Sequence, residues 1–175
     1  MPKIKPFKVA FLKSKLISRV KEARDLYSQS RFGEIDGKNI VYSLVEVLYL
    51  LEKKKVNVLD KTKKLTFSQL LEKTRKLDEN ISVKYTVFKD MRKRGYLVKT
   101  ALKFGAEFRV YDKGKKPGKS HARWILFPIH ESEALRWHDF AAKNRVAHST
   151  KKNLLIAIVD DEGSVTYYES VWTRP

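Results

Sequence analysis

The chain has 175 residues, 38 Lys+Arg against 20 Asp+Glu, a formal net charge of +18, no cysteine, and 42% hydrophobic residues. That length supports one ordinary domain or two small ones around a real core, and the lack of cysteine excludes disulfide frameworks, thiolate zinc sites and cysteine nucleophiles. No run approaches the roughly 20 apolar residues of a membrane span, so a soluble, cytoplasmic protein with no membrane partner is expected, and its charge favours a polyanion, nucleic acid before an anionic lipid surface.

The opening segment MPKIKPFKVAFLK lacks the apolar core and cleavage site of a signal peptide, and its alternating Lys and apolar residues read as an edge strand or an arm. From Leu16 to Tyr27 the apolar positions Leu16, Ile17, Val20, Ala23 and Leu26 recur at helical spacing, ending near Gly33. Asn39 reads as the N-cap of a long helix, IVYSLVEVLYLLEKKK, whose terminal lysines suit the negative end of the helix dipole. Val56–Leu59 reads as a strand and 60–64 as its turn. Thr66 with Gln69 three residues on forms a capping box, opening a helix predicted to reach about Glu79. A further helix spans Ser82–Arg94 and stops at Gly95.

Beyond Gly95 the apolar period changes from 3.6 to 2. YLVKTALKFG, AEFRVYDKG, ARWILFPI, NLLIAIVD and SVTYYESVW all read as strands, with NLLIAIVD unalternating as a doubly covered central strand should be. Between them ESEALRWHDFAAKN reads as an amphipathic helix capped by Ser132, and DDEG at 160–163 as a tight turn. The expectation is an α+β (mixed α/β) protein. A helix-rich N-terminal sub-domain covers 1–81, and a C-terminal domain over 82–175 carries a mixed β-sheet flanked by helices.

The charge is no tail: residues 1–80 and 81–175 each hold nineteen basic and ten acidic residues, a net +9 apiece. Aromatics such as Phe7, Phe11, Tyr85, Phe88, Tyr96, Phe104, Phe108 and Tyr111 run throughout, unlike a disordered basic arm. A lysine surface kept for solubility or heat resistance would show the same spread, so motifs must decide. No P-loop or GxGxxG is present. A metal nuclease would gather carboxylates on adjacent strands, yet the strand-rich half offers only Glu107, Asp112 and the 160–162 turn, with no acidic strand followed by E/Q-x-K. No metal or cofactor is expected.

Metal-free RNA cleavage needs a base for the 2′-hydroxyl, an acid for the departing 5′-oxygen and a cation beside the phosphorane. His121, in the basic loop DKGKKPGKSHARW, has an ordinary pKa near 6.5 and can donate a proton near neutrality. An idle loop histidine fits the same spacing. Tyr111 ends the strand AEFRVY, where an aromatic also serves as core edge; as a base it needs cations such as Lys152 to favour its phenolate. Lys152 precedes the apolar strand LLIAIV, beside the adjacent Lys151.

GYLVKTALKFGAEFRVYDKG, the SHARW loop, NRVAHSTKKNLLIAIVDDEGSVTYY and the terminal VWTRP resemble the archaeal tRNA-splicing endonuclease family. IVYSLVEVLYLLE, LTFSQLLE and VKYTVFKDMRKRGY resemble its N-terminal and junction segments, so the similarity covers about residues 35–175. The resemblance implies a nuclease-like C-terminal domain that excises introns from precursor tRNA, and from archaeal precursor rRNA, at bulge–helix–bulge motifs. It implies metal-free cleavage to 2′,3′-cyclic phosphate and 5′-hydroxyl ends, with Tyr111 as general base, His121 as general acid and Lys152 stabilising the transition state. It further implies that Arg145 and Trp172 clamp an extruded bulge base, with His148 structural. The loop Asp160, Asp161 and Glu162 would dock into a basic groove of a neighbouring subunit. The chain has the length of members that form homotetramers, although some of this size form heterotetramers with a second subunit. The rival readings are a non-catalytic RNA-binding or structural subunit and a metal-dependent nuclease.

Overall fold

The computed structural model describes residues 4–101, 106–118 and 120–173. The ends of the predicted arm and of VWTRP, residues 102–105 of the predicted strand YLVKTALKFG, and Lys119 of the loop lie outside the described residues. The chain divides into two compact units, Met1–Tyr85 and Thr86–Pro175. Among the described residues it forms five helices and eleven strands in two mixed sheets, an α+β fold as expected.

In the N-terminal unit, β1 (Phe7–Leu12) and β2 (Lys15–Ser18) form a hairpin, followed by α1 (Lys21–Ser30), β3 (Glu34–Asp36) and β4 (Asn39–Tyr42). Then come α2 (Leu44–Glu52), β5 (Val56–Asp60), β6 (Lys63–Lys64) and α3 (Phe67–Arg75). The strand order is β3-β4-β2-β1-β5-β6, with β1 parallel to β5 and the other pairs antiparallel.

Three expectations fail here. The opening segment is not an edge strand or arm: β1 is internal, and alternation buries Phe7, Val9 and Phe11 while Lys8 is exposed. Residues 16–18 are not helical, because Leu16 and Ser18 turn inward on β2, where Ser18 Oγ donates to the Lys8 carbonyl at 2.7 Å; the helix begins only at Lys21. Asn39 caps nothing, since it starts β4. The cap of α2 is Ser43, whose hydroxyl accepts from the Glu46 N–H while the Glu46 carboxylate accepts from the Ser43 N–H at 3.0 Å. Glu46 is almost wholly buried, and its other carboxylate oxygen accepts from the Gly33 N–H at 3.0 Å. Gly33 takes φ +75°, and a Cβ there would stand 2.5 Å from Ile40 Cγ2. The Thr66–Gln69 capping box forms as read, though α3 ends at Arg75 rather than Glu79.

Helix α4 (Ile81–Lys93) crosses the division between the units and is stopped by Gly95 at φ +92°. The C-terminal unit continues with β7 (Leu97–Ala101), β8 (Ala106–Tyr111), β9 (Trp124–His130), α5 (Trp137–Ser149), β10 (Asn153–Val159) and β11 (Val165–Ser170). All five predicted strands are present, in the order β11-β10-β9-β8-β7, with β9 and β10 parallel and the other pairs antiparallel. On one face Ala147 of α5 meets Ile125, Phe127, Leu154 and Ile156. On the other, Phe88 of α4 packs on Phe108 with ring centroids 6.1 Å apart, and Tyr167 of β11 donates to Asp90 of α4 at 2.8 Å. The double cover explains the unbroken apolar run of β10.

Helix α5 also departs from expectation. It starts at Trp137 after Arg136, which makes no side-chain cap, and it runs through the RVAHS block. Ser132 is not its cap: the Ser132 hydroxyl lies 2.8 Å from His130 Nδ1 in the preceding turn.

Candidate active site

Three neighbouring strands bring the predicted catalytic residues to one end of the C-terminal sheet. Val110 of β8 pairs with Trp124 of β9, and Trp124 with Asn153 of β10. The antiparallel β8 therefore finishes, at Tyr111, where the parallel β9 and β10 begin. His121 lies three residues before β9 and Lys152 one residue before β10. Tyr111, His121 and Lys152 line a single cavity of about 350 Å³ with Arg109, Ser120 and the small residues Gly118 and Ala122. Among the described residues its lining contains no carboxylate.

Each side chain is held by local structure. Tyr111 is buried at the strand end, paired with Leu97 of β7. His121 is exposed at the cavity mouth, in a loop anchored where the Arg123 N–H donates to the Val110 carbonyl at 2.9 Å. Lys152 is set by the end of α5. Lys151 takes φ +56°, its N–H donates to the His148 carbonyl, and the Lys152 N–H donates to the Ala147 carbonyl, both at 2.9 Å. This pair of bonds is a Schellman motif, which closes the helix and turns the chain directly into β10. Of the two adjacent lysines, Lys151 is exposed outside the cavity and Lys152 lines it. Lys152 Nζ donates to the Thr150 carbonyl at 2.5 Å. Burial, and secondly the Arg109 guanidinium, hold the Lys152 ammonium below its ordinary pKa.

Arg109 and Ser120 were not singled out from the sequence. For Arg109 a signal existed: it stands two residues before Tyr111 on a strand, hence on the same face. Beside the cavity, Arg123 packs over the Trp124 ring at 4.3 Å, and the Asn153 side chain donates to Glu169 at 2.6 Å. That bond, ahead of contributions from Trp124 and Arg123, holds the Glu169 carboxyl below its ordinary pKa.

Arg145 and Trp172 line a second cavity, of about 640 Å³, between α5 and the chain following β11. Among the described residues its lining shares none with that of the first. Trp172 is half exposed, and the His148 ring lies tilted against it with centroids 4.3 Å apart, so His148 has an aromatic neighbour. In the 160–163 turn, the Asp160 carboxylate accepts from the Ser164 N–H at 2.8 Å. Asp161 lies 3.4 Å from His130 Nε2, and Glu162 is exposed. A groove of about 500 Å³ between α5 and the sheet is lined by Leu135, Trp137, Ile156, Ile158 and Tyr168 among others, and Trp137 is 82% exposed. Among the described residues no three His, Asp or Glu side chains gather as a metal site would require, and no helix is long and apolar enough to cross a membrane.

Comparison with known proteins matches residues 8–71 to the N-terminal domain of tRNA intron endonuclease and residues 81–167 to its catalytic C-terminal domain. A tRNA-splicing endonuclease of Pyrococcus furiosus is 42% identical over 156 residues, covering 89% of each chain. That of Nanoarchaeum equitans is 41% identical over 81% of this chain and 93% of its own, and that of Methanothermobacter thermautotrophicus 38% over 87% and 89%. With both domains matched in order and relatives covering most of its length, the chain belongs to the tRNA intron endonuclease family and carries that family's catalytic domain.

Proposed function

We propose that this chain cleaves precursor tRNA at bulge–helix–bulge intron–exon junctions, through metal-independent attack by the 2′-hydroxyl adjacent to the cut. The observation that carries this reading is the single cavity lined by Tyr111, His121 and Lys152. Tyr111, as phenolate, takes the proton of the 2′-hydroxyl, and the freed oxygen bonds to phosphorus. The bond from phosphorus to the 5′-oxygen breaks as protonated His121 gives its proton to that oxygen. One proton is accepted and one donated, no water is consumed, and the products are a 2′,3′-cyclic phosphate and a 5′-hydroxyl. Lys152 supports the negative charge that grows on the pentacoordinate phosphorus. A bulge permits the in-line geometry that an A-form helix forbids, so the RNA is selected by shape, with phosphate contacts giving affinity.

Arg145 and Trp172 grip an extruded bulge base: the indole offers a stacking face, and the guanidinium adds cation–π attraction. His148 already covers part of Trp172, which fixes the ring for that role. The working division is an N-terminal domain over 1–81 and a catalytic domain over 82–175, in a cytoplasmic enzyme. In a homotetramer, Asp160, Asp161 and Glu162 dock on a basic surface of a neighbouring subunit, while the exposed apolar groove beside Trp137 supports the two-fold contact. Archaeal precursor rRNA with the same motif is a second substrate.

The test is cleavage of a precursor tRNA transcript by His121→Ala. RNA binding is expected to survive and cleavage to fall by about 100- to 10,000-fold, whereas retained cleavage would refute the assignment of His121 as acid. Full activity in excess EDTA and a cyclic phosphate at the new 3′ end are expected; an absolute need for Mg²⁺ would instead favour a metal-dependent nuclease. Light scattering on the protein alone should give four copies of the chain, and an inactive smaller species would point to a missing partner subunit.

A further inference from the structure

Two hairpins of the N-terminal unit repeat one short pattern, Lys13-Ser14-Lys15 where β1 meets β2 and Lys61-Thr62-Lys63 where β5 meets β6. Leu12 pairs with Lys15 and Asp60 with Lys63, so each turn between them is two residues long. Strands β1 and β5 run parallel, from Phe7 beside Val56 to Ala10 beside Leu59, and therefore finish at the same end of the sheet. Neighbouring strands lie about 4.8 Å apart, which sets the two turns side by side. Every residue of 13–15 and 61–64 is exposed.

The charge at this end is one-sided. Five lysines stand in 12–15 and 60–64 against one carboxylate, Asp60, and Lys73 of α3 takes that carboxylate at 2.9 Å. Glu72 of the same helix is taken by Arg75 at 2.8 Å. Among the described residues none of the five turn lysines has an ion-pair partner. Lys13 and Lys61, which open the two turns, take φ +58° and +54°, a left-handed conformation that glycine or asparagine adopts with less strain. All five non-glycine residues at positive φ among the described residues are Lys or Arg. A lysine kept only for solubility can stand anywhere on a surface, whereas these two stand where the backbone disfavours them.

We infer that this lysine end of the N-terminal sheet is an RNA-binding surface, holding phosphates of the duplex that flanks the bulge–helix–bulge. The inference rests on the substrate proposed above. The cleavage and base-clamp cavities are lined by the C-terminal unit, and precursor tRNA extends beyond the bulges they serve. Lysines on flexible four-carbon stems suit a row of phosphates in no fixed register, whereas a fixed protein partner would favour the planar fork of arginine. Ser14 and Thr62 add hydroxyl donors for phosphate oxygens. Contacts of this kind carry no sequence information and release counterions, so they add affinity that salt removes.

The experiment is filter binding of two RNAs across a salt series, a precursor tRNA transcript and a bulge–helix–bulge RNA trimmed of the tRNA body. The double variant Lys13→Asn/Lys61→Asn is expected to lose about tenfold in affinity for precursor tRNA and to lower the salt slope by about two. Its affinity for the trimmed RNA should stay within about threefold of wild type. Its thermal melt should match or exceed that of wild type, because asparagine accepts a left-handed turn more readily than lysine. Lys15→Gln/Lys63→Gln leaves the backbone of both turns alone and should show the same binding loss; it decides the matter if the first pair does not fold. Unchanged Kd and salt slope in both pairs assign these lysines to solubility and overturn the inference. Equal losses on the two RNAs also overturn it, because the contacts would then fall within the bulge–helix–bulge. A smaller species by light scattering, with RNA affinity unchanged, would give the surface to the acidic turn of a neighbouring copy and overturn it as well. Failure of the wild-type protein to bind precursor tRNA removes the proposed function and this inference together; firm wild-type binding with unaltered variants removes this inference alone.

Discussion

Helices α2 and α3 of the N-terminal unit each begin with a capping box, Ser43 with Glu46 and Thr66 with Gln69, whereas α5 of the C-terminal unit begins at Trp137, after Arg136, with no side-chain cap. Polar side chains of the two units also differ in what they meet. Glu46 satisfies the N–H groups of Ser43 and Gly33, joining a helix start to the loop before β3. Arg109 and Lys152 instead line one cavity, where burial first and the Arg109 guanidinium second hold Lys152 below its ordinary pKa. In one unit a polar side chain closes the fold, and in the other polar side chains line the cavity in which we place cleavage.

That contrast can be broken by variants with opposite readouts. Lys152→Ala should lower single-turnover cleavage by about 100- to 1,000-fold, with little change in melting temperature; a matching loss of stability would show that Lys152 serves the fold. Glu46→Ala leaves two N–H groups without their acceptor in a buried place, and a loss of about 3 kcal/mol is expected in denaturant unfolding. The rate per folded molecule should be retained. Trp172→Ala removes a stacking surface and should weaken RNA binding by roughly 1–3 kcal/mol in a gel-shift titration, with the rate at saturation little altered. Thr66→Ala costs only about 1 kcal/mol through the lost cap and should leave cleavage untouched.

The smallest effect lies in the pH profile. Lys152 must be protonated to support the phosphorane, and burial together with Arg109 places its pKa below 10.5. Cleavage should hold while the pH is under that lowered value and fall as the pH rises through it, earlier than an ordinary lysine would allow. Loss that begins only at the pH of an unperturbed lysine would remove Lys152 from the alkaline limb.

The resemblance, not spacing, picked out the proposed site residues, but each falls at a punctuation point of a strong pattern. Tyr111 ends an alternating strand, His121 sits in a Gly- and Lys-rich loop, and Lys152 precedes an unbroken apolar run, so each could be placed at a strand end before any pairing was known. Arg109 carried one local signal, its place two residues before Tyr111, but among the many other Lys and Arg residues only the cavity lining sets it apart. The N-terminal sheet was read less well. Leu16 and Ile17 fit a helical stripe when counted with Ala23 and Leu26, yet their pairing with β1 and β4 makes them a strand. The Ser43 capping box was present in the sequence but overshadowed by a longer apolar run that began in β4.

By itself the sequence determined the strand-rich character beyond Gly95, the Thr66 helix start and the Gly95 stop. These depend on alternation, capping and backbone freedom, which act over a few residues. Tertiary structure alone decided that β1 is an internal strand, that α5 ends in a Schellman turn delivering Lys152 rather than Lys151, and that three strand ends meet at one cavity. Each of those outcomes depends on which distant segments pair. A strand gains its hydrogen bonds and covered faces only from neighbours far along the chain, and no local pattern names them.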